Sequence, residues 1–319
     1  MFDFRTTRLG RLINQNMFLI AIAIGAIIII IVGIQFLDEQ AKKSREEEVV
    51  NTTVIATDSS SETIISGGKV SEKENTNNKI VIDSFMEYCN SGEIEKAYEL
   101  ISDDCKEELY PTIEQFKKLY WGHIFTTSKS HSMQSWISDY DTFTYKVKIL
   151  EDMLATGKYD KSAIIEDYYT IIPTENGDKI NINSYIKKEE INKTVEENGN
   201  KYTIVNKQVY MDYEVYTIEV QNNSQETIVL DSKETLRNTY LIGENEVKYS
   251  SYIDEVLDED LRINAGQTKK IEIKFNKMYN PSIKIKQVVF TDIIENYEEY
   301  LNSSDKNKYE GRKTIIVSI

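Results

Sequence analysis

Two histidines, two cysteines and an abundance of tyrosines and carboxylates are the groups from which any chemistry of this chain would be built. His123 and His131 stand eight residues apart, the first near the end of an expected helix and the second in the loop beyond. A histidine metal site on a helix uses imidazoles four apart with a carboxylate between or beside them, and that spacing is missing. The expected metal, cofactor and catalytic sets are therefore all empty. A serine hydrolase would want a Gly-x-Ser-x-Gly elbow, and the sequence has none. A phosphate-binding loop would need Lys-Ser or Lys-Thr after its glycines, but Gly67-Gly68 is followed by Lys69-Val70.

Cys89 and Cys105 both fall on apolar helical stripes. A disulfide closing a loop of that length would contribute about 3 kcal/mol. If the two helices form a tight hairpin, Cys89 lies near the bend and Cys105 more than two turns on, past the roughly 7 Å limit between bridged Cα atoms. A bridge would require the chain to turn back around Asp103-Asp104. A Cys89–Cys105 disulfide and two buried thiols both stand as readings. The 21 tyrosines include Tyr98, Tyr120, Tyr145 and Tyr216, which sit at stripe or alternation positions where packing explains them.

The elements that would position these groups are written in the hydrophobic pattern. Met17 to Leu37, MFLIAIAIGAIIIIIVGIQFL, is uncharged and long enough to cross a bilayer core of about 30 Å. It outruns a signal peptide's apolar region and lacks a small-residue cleavage site, so it is expected to be a retained transmembrane helix. Arg5, Arg8 and Arg11 in the leader 1–16 place the N-terminus in the cytoplasm and everything after residue 37 outside the cell. Residues 38–78 are rich in Ser, Thr, Asn and charge and read as a flexible stalk.

Residues 79–200 begin with helices. Val81, Ile82, Phe85, Met86 and Cys89 form one stripe, closed by Gly92 as a left-handed cap. Ile94, Ala97, Tyr98, Ile101 and Cys105 form a second. Pro111 is expected to open a third helix, with Ile113, Phe116, Leu119 and Tyr120 on its buried side. The period then changes to two: Phe143, Tyr145, Val147 and Ile149 alternate with polar residues, and DYYTIIP and KINI flank a turn at 175–178. Helices followed by an antiparallel sheet predict an α+β unit. Residues 201–319 are strand-patterned, with alternation at Tyr216-Ile218-Val220 and Ile271-Ile273-Phe275, turns at 221–224 and 264–266, and a closing strand over 314–319.

The stretch FMEYCNSGEIEKAYELISDDCKEELYPTIEQFKKLY resembles the helical opening of the nuclear-transport-factor-two-like (cystatin-related) α+β cone. YEVYTIEVQNNSQETIVLD and INAGQTKKIEIKF resemble strands of the immunoglobulin-like β-sandwich of bacterial surface proteins. With the anchor and stalk, the arrangement resembles Gram-positive envelope and conjugation-type assembly subunits, in which the cone docks other proteins. The resemblance implies a single-pass, non-enzymatic interaction scaffold, with other envelope proteins as partners and the lipid bilayer contacted through residues 17–37. The alternative is a small-ligand binder or cone-pocket enzyme on the cell surface, in which an Asp base and a Tyr donor face an apolar cavity. Thirty-eight basic against 53 acidic residues, a net charge of −15, argue against a nucleic-acid partner.

Overall fold

The computed structural model describes residues 71–157, 164–233 and 239–319, all within one compact unit of the chain. Helix α1 (Glu72–Ser91) starts inside the expected stalk, because Ser71 and Glu74 form a reciprocal capping box that satisfies its first amides. Ile82, Phe85, Met86 and Cys89 face inward from it, and Gly92 ends it at φ 74°, as the pattern predicts.

The second stripe does not form one helix. Helix α2 (Ile94–Leu100) stops where Ile101 turns extended and bridges Ile180, and Ser102 caps a separate α3 (Asp103–Leu109) by accepting from the Cys105 amide at 3.1 Å. Thr112, rather than Pro111, caps α4 (Ile113–Phe116), through a second capping box with Gln115. The chain then widens into a π turn (Lys117–Trp121) before the single turn α5 (Gly122–Ile124). The wider turn shifts the helical phase, so Tyr120 stays buried while Leu119, expected inside, is 52 % exposed.

Strands β1 (Lys129–Asp139), β2 (Thr142–Glu151), β3 (Ile165–Ile172) and β4 (Lys179–Asn181) make an open antiparallel sheet in the order β1-β2-β3-β4, with the short α6 (Met153–Thr156) after β2. Helices and sheet enclose a core centred on Phe116, whose ring lies 5.7–6.3 Å from those of Tyr110, Tyr120, Tyr98 and Phe85. Each such ring adds contact energy beyond its buried area.

The rest is β structure. Strands β5 (Tyr185–Glu197) and β6 (Asn200–Tyr210) form a long hairpin turning at Asn198-Gly199, both at positive φ. With β7 (Glu214–Gln221) and β12 (Thr268–Phe275) they make a sheet of order β12-β7-β6-β5. A six-stranded sheet contains β8 (Ile228–Val229), β9 (Tyr240–Gly243), β10 (Lys248–Ser250), β11 (Arg262–Ile263), β13 (Ile285–Ile294) and β14 (Arg312–Ser318), with helix α7 (Tyr297–Asn302) between the last two. Tyr216, Ile218, Val220, Ile271, Ile273 and Phe275 point into a second core, as their alternation predicts.

Three expectations are corrected. The first sheet is an open four-stranded one and does not close into a nuclear-transport-factor-like cone. The β-rich half is not a self-contained immunoglobulin-like sandwich. Its β5–β6 hairpin also runs through the first half, giving Tyr185 and Tyr210 to the helical core and Ile186 and Val209 to a third cluster with Ile137 and Tyr279. Among the described residues no helix is long and apolar enough to cross a membrane. The expected leader 1–16, span 17–37 and stalk residues 38–70 lie outside the described residues, so the membrane-anchored, extracellular placement and the bilayer contact through 17–37 are not carried forward.

Candidate functional site

A buried arrangement of acid–base type was not visible as a motif. Alternation along β3 turns Asp167 and Tyr169 toward the first core, and the π turn brings Tyr120 down onto them. The Tyr120 hydroxyl lies 3.3 Å from Asp167 Oδ2 and 2.6 Å from the Tyr169 hydroxyl. The Asp167 carboxylate also accepts from the amides of Tyr168 (2.7 Å) and Asn183 (3.0 Å) and from Ser184 Oγ (3.3 Å). Asn183 and Ser184 reach it because both adopt positive φ, at 57° and 60°. Burial pushes the Asp167 carboxyl up to about 6 against the pull of these hydrogen bonds, and raises both phenols as well.

A carboxyl that titrates near neutrality beside a phenol is suited to moving a proton. Here the pair is sealed. Phe116 stacks on Tyr120 at 5.7 Å, Tyr110 and Phe125 close its flanks, and Phe85 meets Tyr169 edge-on at 5.7 Å. Asp167 is 6 % exposed, Tyr120 3 % and Tyr169 not at all, a plugged arrangement that does not support the cone-pocket reading. Asp167 is a core group that fixes the 183–184 turn.

The residues singled out in the sequence do not converge. His131 lies on strand β1, not in a loop, and its Nε2 meets Asp83 Oδ1 of α1 at 2.8 Å. His123 is exposed on α5. Among the described residues no group of three His, Cys, Asp or Glu side chains is placed to hold a metal. Cys89 and Cys105 are free, buried thiols; burial pushes Cys105 up to about 12 and Cys89 higher still. Neither thiol is poised as a nucleophile.

The feature best suited to a ligand is a cleft of about 570 Å3 between the β5–β6 hairpin and the 277–285 segment, beside the β1–β2 tip. Its base is a buried ion pair, with Lys277 Nζ 2.6 Å from Glu214 Oε1 and both side chains at most 3 % exposed. Above it Glu189 joins Lys187 (2.8 Å) and Lys207 (3.0 Å), and the Tyr279 hydroxyl donates to Asp139 at 2.8 Å. Burial works against both charges, yet Glu189 and Asp139 hold the Lys187 ammonium above its ordinary value, and Lys207 and Lys187 hold Glu189 below its own. Lys193 and Lys284 on one hand, and Glu190 and Glu244 on the other, stand exposed at the rim. Five lysines thus face five side-chain carboxylates, and the lining side chains sum to no net charge in a chain of net charge −15.

No family model, curated protein or solved structure matches this chain. The resemblances to the nuclear-transport-factor-two-like cone, to the immunoglobulin-like sandwich and to Gram-positive envelope assembly subunits gain no support, and the envelope-scaffold reading with envelope proteins as partners is withdrawn with them. The cleft was hidden from sequence reading because its charged residues come from five separate stretches, around 139, 187–193, 207–214, 244 and 277–284. The only local hint was the run Lys187-Lys188-Glu189-Glu190 inside a strand.

Proposed function

We propose that the described region is a non-catalytic binding module whose ligand is a compact polar molecule carrying both a cation and an anion, of the amino-acid or dipeptide type. The observation that carries this reading is the charge-balanced cleft. Its volume is in the range of small-ligand sites, and its inner charges are already fixed in ion pairs, so binding would require little rearrangement. The exposed lysines and glutamates at its rim offer one partner for each end of a zwitterion.

Titration calorimetry and thermal shift with glycylglycine, against acetate and butylamine as singly charged controls, test the reading. Glycylglycine is expected to bind and stabilise the protein, the controls to do neither, and Lys284→Glu to weaken the dipeptide about tenfold. No heat and no shift at millimolar dipeptide, or equal affinity in Lys284→Glu, would overturn it.

A further inference from the structure

We infer that the outer edge of β1 is a docking site for an extended segment of a basic partner polypeptide, which adds as a fifth strand to the first sheet. The Asn90 carboxamide donates to the Lys129 carbonyl and accepts from the Lys129 amide, both at 2.8 Å. Lys129 therefore points its backbone groups away from β2, and Asn90 fills the place a neighbouring peptide unit would occupy. In an antiparallel ladder this direction alternates along the strand. The register is unbroken from Lys129 to Ser135, and the Asp152 amide donating to the Ser128 carbonyl at 2.9 Å fixes the inward set. His131 and Met133 thus also turn their N–H and C=O outward, and no hydrogen bond from the described residues reaches them. The rung begun by Asn90 continues as two open rungs, until the bulge between Ser135 and Ile137 ends the register.

Both edges of the β12-β7-β6-β5 sheet are defended. Edge strand β5 carries Lys187, Lys188, Glu189 and Glu190 and two bulges, and edge strand β12 carries three lysines and a glutamate. Such charges and irregularities are the usual means of blocking strand addition. From Ser130 to Ser138, β1 has no Lys, Arg, Asp, Glu or Pro. Beside it α1 presents Ile80, 58 % exposed, in one stripe with Asp83 and Glu87, and Met133 is only partly buried. That combination offers one apolar contact and two carboxylates, Asp83 held by His131 at 2.8 Å and Glu87 exposed, with Lys73 and Lys79 the opposing charges on this face of α1.

A second copy of this chain is the wrong occupant. Antiparallel β1–β1 pairing would bring two α1 helices together on one face, each with Asp83 and Glu87, in chains of net charge −15. A basic extended polypeptide complements Glu87 and a chain of net charge −15, taking its affinity from main-chain hydrogen bonds and its selectivity from alternate side chains.

The experiment measures fluorescence anisotropy of an acetylated (Lys-Val)4 amide peptide against the full chain, with the (Glu-Val)4 peptide as control. The lysine peptide is expected to bind and the glutamate peptide to fail. Met133→Pro removes an outward amide while sparing every hydrogen bond to β2, and is expected to weaken binding at least about tenfold. Glu87→Lys is expected to weaken it to a similar degree. Should Met133→Pro fail to fold, the same probe N-methylated along one edge makes the test on the unaltered protein, and loss of binding is expected. Undiminished binding of the N-methylated probe or of Met133→Pro, equal binding of the two peptides, or no binding at millimolar peptide would overturn the assignment. So would a concentration-dependent dimer abolished by Met133→Pro.

Discussion

The hydroxyl of Tyr120 lies 3.3 Å from the carboxylate of Asp167, inside a core whose remaining members are almost all apolar. Burial raises the Asp167 carboxyl from an ordinary 3.8 to about 6, so the native state holds its proton over a pH range where the unfolded chain has released it. Stability from this group is therefore fully present below about pH 4, falls as pH rises toward 6, and is level above. The difference amounts to about 3 kcal/mol. Glu108 and Asp231 are raised by burial and tilt the profile the same way, while Glu189 and Glu166 are lowered and tilt it oppositely. Urea unfolding between pH 4 and 7 of the wild type and of Asp167→Asn isolates the contribution, and the variant should show the shallower fall.

Lys277 and Glu214 make the next test. Lys277→Met strands a carboxylate whose only other side-chain partner among the described residues is the Tyr216 hydroxyl at 2.9 Å, and should cost about 3–5 kcal/mol. The double variant Lys277→Met, Glu214→Leu should recover most of that loss, because an apolar pair of similar volume needs no counter-charge. Denaturant midpoints of the two variants against the wild type decide it.

Cys89 and Cys105 should resist modification. With both thiols buried and raised, a thiol reagent at pH 8 is expected to leave the native protein unlabelled and to titrate two thiols after unfolding without reductant. Zero thiols under those conditions would show a bridge instead.

Gly92 closes α1 at φ 74° with nothing within 4 Å of where a Cβ would stand. Gly92→Ala should therefore cost about 1 kcal/mol through backbone strain alone, read as a shifted unfolding midpoint with unchanged denaturant sensitivity.

Where side chains alternate cleanly, the fold was legible from sequence. β2, β7 and β12 and the Phe85–Cys89 stripe lie where periodicity puts them. β1 was not legible, because its Ser-rich stretch carries too few apolar residues to display a period. β5 escaped for a different reason: bulges between Tyr185 and Lys187 and between Glu190 and Lys193 break the alternation in Ile186, Ile191 and Val195. The π turn exposing Leu119 has no local signature in its composition. The Asp167 arrangement and the cleft join residues far apart in the chain, so neither could be seen without the pairing of strands.

The β5–β6 hairpin passes from the helical core to the all-β one, and its turn at Asn198-Gly199 falls near the middle of the span 71–319. Scissors applied there for recombinant expression would leave each fragment with half of a torn ladder, sticky along its raw border. Mixing the two fragments should heal the tear, making this loop the natural place to split the protein into a self-reassembling reporter.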